Sequence, residues 1–97
     1  MNLRFTAAAQ RELNAALRRY LRDAGVDVAK RFDERVQKVL HLFCQMPEIG
    51  SPTPPELRIW PLRQFEYSLV YRFKPNEIVV IAVAHQRRAA GYWVGRR

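Results

Sequence analysis

The stretch IVVIAVA at residues 78–84 is nearly continuously apolar and decides how the rest of the chain is interpreted. A run of this length and composition predicts a strand that is central in a sheet and covered on at least one face. The turn residues Lys74-Pro75-Asn76-Glu77 precede it, and before them residues 66–73 alternate in the period of a strand. One face of that preceding strand carries Tyr67, Leu69, Tyr71 and Phe73. The two strands and their turn predict a hairpin.

Three shorter segments also have strand character. Residues 2–5 alternate polar and apolar, and residues 57–60 (Leu-Arg-Ile-Trp) are rich in apolar side chains. Residues 92–94 could add a final short strand. Residues 46–55 contain four prolines, a glycine, a serine and a threonine, and they predict an ordered but irregular connection.

Two helices are predicted between the first strand and this connection. Thr6 fits an N-cap, residues 7–24 are strong helix formers, and Gly25 supplies a stop. Asp27 is predicted to cap a second helix that Pro47 ends. The predicted apolar positions are Leu13, Ala16, Leu17, Tyr20 and Leu21 in the first helix, and Val28, Phe32, Val36, Val39, Leu40 and Phe43 in the second.

The predicted order is β-α-α-β-β-β, with one more possible strand. It indicates an α+β fold in which an N-terminal helical hairpin packs on a small antiparallel sheet. At 97 residues we expect a single domain over residues 1–97.

The charge balance indicates an anionic partner. Lysine and arginine number 17 against nine acidic residues, a net charge of +8, and fourteen of the seventeen are arginine. Such an excess favours nucleic acid or an acidic protein segment, although solubility alone could explain part of it. The excess is larger in the second half of the chain, so we expect the partner to bind there.

Several classes of protein are disfavoured by composition. No apolar run reaches the roughly 18–20 residues that span a bilayer, and the N-terminus lacks an apolar secretion core, so we expect no membrane partner and a cytoplasmic location. Cys44 is the single cysteine, and two distant histidines do not complete a metal site. We expect neither a metal nor a cofactor. Cys44 is interpreted as a core residue and His41 as a surface residue.

Arginines and aromatics interleave in the second half of the chain. Basic residues around exposed aromatic rings can hold a phosphate backbone and stack on bases. His85 follows the apolar strand and could be a general acid or base, although a structural role at the strand end is favoured. Tyr92-Trp93 could be a stacking surface, but a position in the core is favoured. The chain ends with Arg96 and Arg97.

The order and spacing of several short motifs resemble the RelE/ParE superfamily of bacterial toxins over essentially the whole chain. The motifs are Leu3-Arg4-Phe5-Thr6 followed by Ala9 and Leu13, Ala29-x-Arg31-Phe32, Leu42-x-x-x-Met46-Pro47-x-x-Gly50, Leu57-Arg58, residues 65–72 (FEYSLVYR) and residues 81–88 (IAVAHQRR) with Tyr92-Trp93. The resemblance implies the toxin of a type II toxin–antitoxin system, with the fold already predicted from the sequence pattern.

The superfamily has two branches with different activities. RelE-like members are metal-independent endonucleases that cut mRNA on the ribosome, whereas ParE-like members inhibit DNA gyrase and are neutralised by a ParD-like antitoxin. If this chain were RelE-like, the resemblance would place catalysis on Arg58, His85, Arg88 and Tyr92.

The ParE-like branch is favoured. Only Arg88 and Tyr92 match nuclease positions, and Ser68 stands where those enzymes tend to have arginine. Arg58 and Trp60 stand where lysines would be expected. The residues expected to bind the target or the antitoxin are Arg58, Arg63, Arg72, Arg87, Arg88 and Trp93. The ribosome and mRNA remain the alternative target.

Overall fold

The computed structural model describes residues 1–96, which form two helices and five strands. In chain order they are β1 (Asn2–Phe5), α1 (Ala7–Ala24), α2 (Val26–Gln45), β2 (Ser51–Thr53), β3 (Leu57–Pro61), β4 (Tyr67–Lys74) and β5 (Glu77–His85). The predicted α+β fold is therefore confirmed. The connection predicted to be irregular contains one additional short strand, β2, which pairs with β3.

The five strands form one mixed sheet in the order β1-β5-β4-β3-β2. The β4–β5 hairpin is antiparallel, as predicted, but β1 lies parallel to β5 from the Asn2–Glu77 pair to the Phe5–Val80 pair. The prediction of a purely antiparallel sheet is wrong for this pair. No tight turn joins β1 to β5, so the direction of β1 is set by the elements between them and not by local sequence.

Both ends of α1 follow the predicted local chemistry. The Thr6 hydroxyl accepts a hydrogen bond from the Ala9 N–H at 3.1 Å. At the other end Gly25 has φ = +93°, a conformation that favours glycine, and its N–H donates to the Tyr20 carbonyl at 3.1 Å. Gly25 also precedes α2 directly, so Asp27 lies in the first turn and the prediction that it caps α2 is wrong.

The helices cover one face of the sheet with a continuous apolar core. From the helices it contains Leu13, Ala16, Phe32, Val36, Val39, Leu40 and Phe43, and from β4 and β5 it contains Tyr67, Leu69, Tyr71, Ile78, Val80 and Val83. Cys44 is partly buried against this core, as predicted. Leu21 is an exception, because it is 51% exposed beside Val26 where the two helices join.

The other face of the sheet is covered by the turns that follow β5. Gly91 and Gly95 have positive φ angles of 81° and 98°, and residues 91–96 form two successive turns closed by backbone hydrogen bonds of 3.0 Å. The possible strand at residues 92–94 is therefore absent from the described chain. Instead, Trp93 packs on a second apolar cluster formed by Leu57, Val70, Val79, Ile81, Ala82 and Ala84.

Candidate functional site

A groove lies between α1 and the second half of β5, and it brings together several of the predicted site residues. Its volume is about 230 Å³, and it is lined by Glu12, Ala15, Ala16, Arg19, Tyr67, Val83, His85, Arg88 and Tyr92. We call it the α1–β5 groove. Small alanines on α1 leave room for it, and the polar side chains come from α1, from the end of β5 and from the turns beyond.

The groove exists because β1 is shorter than β5. Pairing with β1 ends at Val80, whose carbonyl accepts a hydrogen bond from the Thr6 N–H at 3.0 Å. Beyond that point side chains satisfy the β5 backbone: Arg96 Nη1 donates to the Ile81 carbonyl at 3.2 Å, and the Val83 N–H donates to Glu12 at 3.0 Å. Side chains from α1 and the C-terminal turns therefore replace a neighbouring strand.

The carboxylate of Glu12 is the centre of the groove's hydrogen bonding. The Tyr92 hydroxyl donates to its Oε2 at 2.7 Å, and Arg96 binds both oxygens, with Nη1 2.8 Å from Oε1 and Nη2 3.2 Å from Oε2. Arg88 Nη1 lies 3.4 Å from Oε2. With the Val83 N–H, four residues donate to one side chain that is only 16% exposed. This carboxylate therefore attaches the C-terminal turns to α1 and β5.

The surroundings change the acidity of both Glu12 and Tyr92. Burial alone would raise the pKa of Glu12, but the hydrogen bonds from Arg96, Tyr92 and the Val83 N–H outweigh it, so the pKa lies below its ordinary value. Burial, reinforced by the negative charge of Glu12, raises the pKa of Tyr92 to about 12. At neutral pH Tyr92 is therefore protonated and donates a hydrogen bond.

His85 belongs to a second polar cluster at the same end of β5. Its Nε2 lies 2.9 Å from Glu66 Oε2, and its Nδ1 accepts a hydrogen bond from the Arg87 N–H at 3.1 Å. This pattern assigns the proton to Nε2. Arg19 donates to the same Glu66 oxygen at 2.9 Å and to the Tyr67 hydroxyl at 3.1 Å. Both ring nitrogens of His85 are therefore hydrogen-bonded at the end of β5, which is what a structural role predicts.

Arg58 does not join the other three residues of the nuclease set. It pairs opposite Tyr71 on β4, whereas His85 pairs opposite Tyr67, about 13 Å further along the strand. The Arg58 guanidinium donates to the carbonyls of Glu48 and Gly50 at 3.0 and 2.8 Å. It holds the segment before β2 against β3.

The remaining predicted contact residues are dispersed. Arg63 is exposed in the β3–β4 connection, Arg87 is exposed after β5, and Arg72 lies opposite Val79 on the face away from the helices. Arg88 is 55% exposed, and its guanidinium carbon lies 3.6 Å from the centre of the Tyr92 ring.

Trp93 is only 6% exposed, so the structure contradicts its placement on a contact surface. It packs in the second cluster because β3, β4 and β5 present an apolar face that no helix covers. Its favoured interpretation as a core residue is confirmed. Arg97 lies outside the described residues.

The sequence patterns missed the residues that organise the groove. Glu12, Arg19, Glu66 and Arg96 lie far apart in the chain, and no local motif connects them. The sequence does contain one indication that Glu12 pairs with arginines: it is the single acidic residue between Ala7 and Arg22, on a helix rich in arginine.

The described part of the chain contains neither a metal cluster nor a membrane-spanning helix. No three His, Cys, Asp or Glu side chains within residues 1–96 are grouped so that they could hold a metal ion. Neither α1 nor α2 combines the length and apolarity needed to cross a bilayer.

Comparison with solved structures shows that the fold is shared with another protein chain. A chain from the chromosomal ParDE TA system from P. aeruginosa matches with a TM-score of 0.74 and 23% sequence identity, over 88% of this chain and 95% of that chain. At this identity the match shows the common fold. No curated protein sequence matches significantly.

The family is shown by a separate comparison. The profile of the ParE toxin of the type II toxin–antitoxin system parDE matches residues 3–90, which is most of the chain. The chain therefore belongs to the ParE toxin family and is a ParE-like toxin of a type II toxin–antitoxin system. The predicted family and the favoured branch are both confirmed.

Proposed function

We propose that this chain arrests growth by inhibiting DNA gyrase in the cytoplasm, and that a ParD-like antitoxin neutralises it. Family membership supports this target, and one observation in the groove supports binding over catalysis. Two of the arginines here are held in close ion pairs within the chain, Arg96 by Glu12 at 2.8 Å and Arg19 by Glu66 at 2.9 Å, and Arg88 lies 3.4 Å from Glu12. Phosphoryl transfer requires cations free to stabilise the charge that develops on the phosphate.

The antitoxin is proposed to bind an apolar groove between the two helices. This interhelical groove has a volume of about 420 Å³ and is lined by Leu17, Arg18, Leu21, Val26, Ala29, Lys30 and Asp33. Leu21 and Val26 are 51% and 67% exposed, which is unusual for large apolar side chains that lie side by side. Arg18 and Lys30 at its sides suit an amphipathic helix with apolar anchors and flanking acidic residues.

The gyrase proposal is tested with the purified full chain. We expect it to inhibit supercoiling of relaxed plasmid by gyrase and to accumulate cleaved DNA, with no effect on an unrelated type I topoisomerase. In cells, the DNA damage response should rise before protein synthesis stops. Unimpaired supercoiling at a large molar excess of the chain would contradict the proposal.

The antitoxin surface is tested with the double variant Leu21→Glu, Val26→Glu. We expect it to retain gyrase inhibition and to lose binding to the small protein encoded beside this chain's gene, measured by calorimetry. The matched control is Gln37→Glu with His41→Glu, which places the same acids on the exposed side of α2. Equal loss of binding in both variants would reject the interhelical groove as the antitoxin site.

A ribosome-dependent endoribonuclease is the second candidate, because His85, Arg88 and Tyr92 do line one groove. It requires mRNA cleavage at defined codon positions in a translating extract, lost in Arg88→Ala or Tyr92→Phe. Intact mRNA in an extract that contains the wild-type chain would exclude this candidate.

A further inference from the structure

The outward side of α1 carries an arginine face formed by Arg11, Arg18 and Arg22. At 100° per residue these three side chains fall within about 40° of one another around the helix. The buried residues Leu13, Ala16 and the half-buried Tyr20 lie on the opposite side, against the sheet. The arginine face therefore points directly away from the core.

The charges of this face are available to a partner. Neither Arg11 nor Arg18 makes a side-chain hydrogen bond or ion pair within residues 1–96, and both are exposed. Arg22 donates two hydrogen bonds to the Asp23 carboxylate, at 2.9 and 3.3 Å, but the two side chains are 71% and 54% exposed, so the guanidinium remains accessible to a phosphate. Arg19, Arg58 and Arg96 are instead engaged within the chain.

We infer that the arginine face of α1 binds the phosphate backbone of duplex DNA. The Cα atoms of the three arginines are spaced by about 10 Å and 6 Å along the helix axis, and duplex DNA presents one phosphate charge per roughly 1.7 Å of its own axis. Each arginine can therefore meet a phosphate, and its planar fork suits phosphate oxygens.

The side chains beside these arginines favour contact with the phosphate backbone of DNA over contact with an acidic peptide. Asn14 and Ala15 stand beside the arginines, and the exposed Leu21 lies at the edge of the face, where it lines the interhelical groove together with Arg18. Because the apolar side chains belong to the neighbouring interhelical groove, charge is the main attraction on the arginine face itself, which is characteristic of sequence-independent binding to phosphates. Amide and small side chains also allow close approach.

This inference adds a DNA contact to the proposed action on gyrase, and it rests on that proposal only for its biological role. The DNA would come from the gyrase–DNA complex, with α1 lying against it. The contact itself is measurable with DNA alone, so it can fail independently of the gyrase target.

The test is fluorescence anisotropy of the full chain with a labelled duplex of arbitrary sequence over a series of salt concentrations. We expect binding that is independent of sequence and weakens steeply with salt. The variant Arg11→Gln, Arg18→Gln, Arg22→Gln should lower the magnitude of the slope of log K against log salt by about 2.7, since each phosphate contact contributes about 0.9.

A matched variant removes the same three charges elsewhere. Arg31, Lys38 and Lys74 are exposed and form no side-chain hydrogen bond within residues 1–96. Their replacement by glutamine should leave the slope within about one of the wild-type value. An equal fall of the slope in both variants would overturn the inference, because the net charge of the chain would then explain the binding without a specific face. A wild-type chain that does not bind DNA at 0.1 M salt would also overturn it.

Two further outcomes separate the alternatives. Competition by polyglutamate as effective as competition by unlabelled duplex would assign the face to an acidic protein and overturn the DNA contact. A wild-type chain that binds DNA through α1 but leaves gyrase unaffected would support this inference and contradict the proposed function. Circular dichroism of both triple variants checks that they remain folded.

Discussion

Replacing Glu12 by glutamine is expected to loosen the C-terminal turns and destabilise the fold. The carboxylate accepts hydrogen bonds from Arg96, Tyr92 and the Val83 N–H at 2.7 to 3.2 Å. Glutamine has the same size but offers one oxygen, and its amide group would face the donors of Arg96. Hydrogen bonds to charged groups contribute about 1.5–3 kcal/mol each.

The expected loss is about 3 kcal/mol of unfolding free energy, because one oxygen remains as an acceptor and Arg96 is 24% exposed and can be partly solvated. For a domain of this size, that corresponds to a melting temperature about 12–24 °C lower. The assay is urea unfolding followed by tryptophan fluorescence, in which buried Trp93 reports on the turns that Glu12 holds. Glu34→Gln is the control, since Glu34 is exposed on α2 and forms no ion pair within residues 1–96.

The pH dependence gives this prediction a second, independent test. Because the pKa of Glu12 is lowered in the folded chain, its contribution is complete above the unfolded pKa near 4.3 and is lost as pH falls through the folded pKa. The stability difference between wild type and Glu12→Gln should be constant above about pH 5 and shrink below pH 4. A difference under about 0.5 kcal/mol at pH 7, or one that persists unchanged at pH 3, would refute the reasoning.

Three further substitutions probe the packing, each by urea unfolding. Tyr71→Phe should cost about 1–3 kcal/mol, because it removes the hydroxyl that donates to the Pro47 carbonyl at 2.7 Å and accepts from the Gly50 N–H at 2.9 Å. Gly50→Ala should cost about 1–3 kcal/mol, because an added Cβ would lie 2.8 Å from the Tyr71 ring and hydroxyl. Trp93→Phe should cost about 1–2 kcal/mol from lost apolar contact alone, because the indole N–H has no hydrogen-bond partner within residues 1–96.

Each of these three has its own contradicting outcome. Tyr20→Phe is the control for Tyr71→Phe, because the Tyr20 hydroxyl accepts a hydrogen bond from the exposed Glu66 N–H. Equal losses of unfolding free energy in the two variants would show that burial of the hydroxyl is immaterial. Unchanged stability of Gly50→Ala would mean that Tyr71 moves freely. A loss above about 3 kcal/mol in Trp93→Phe would require a polar partner for the indole.

The fold was predictable where local chemistry and periodicity agree. Thr6 and Gly25 limit α1 because their side-chain and backbone preferences act within a few residues. The spacing of Phe32, Val36 and Phe43 located the buried side of α2 for the same reason. Leu21 was predicted to belong to the same apolar stripe but is 51% exposed, because it lies at the edge of the stripe and lines the interhelical groove instead of the core.

The candidate site was predictable only in part. Residues 85–92 were predicted to contribute to the site because basic and aromatic side chains follow an apolar strand, and His85, Arg88 and Tyr92 do share a groove. Their partners Glu12 and Glu66 come from other elements, so the sequence could not show that this charge is largely paired within the chain. Trp93 was placed on a contact surface in error because aromaticity does not distinguish an exposed ring from a buried one.

By itself, the sequence determined the two helices and four of the five strands, the limits of α1, the β4–β5 hairpin and the ParE-like family, since these depend on periodicity, caps and ordered motifs. Only the tertiary structure decided the parallel direction of β1, the burial of Trp93 and the distribution of charge. A net charge of +8 says nothing about which cations are already paired. Pairing depends on distances between residues remote in the chain, such as Glu12 and Arg96, and folding alone fixes those distances.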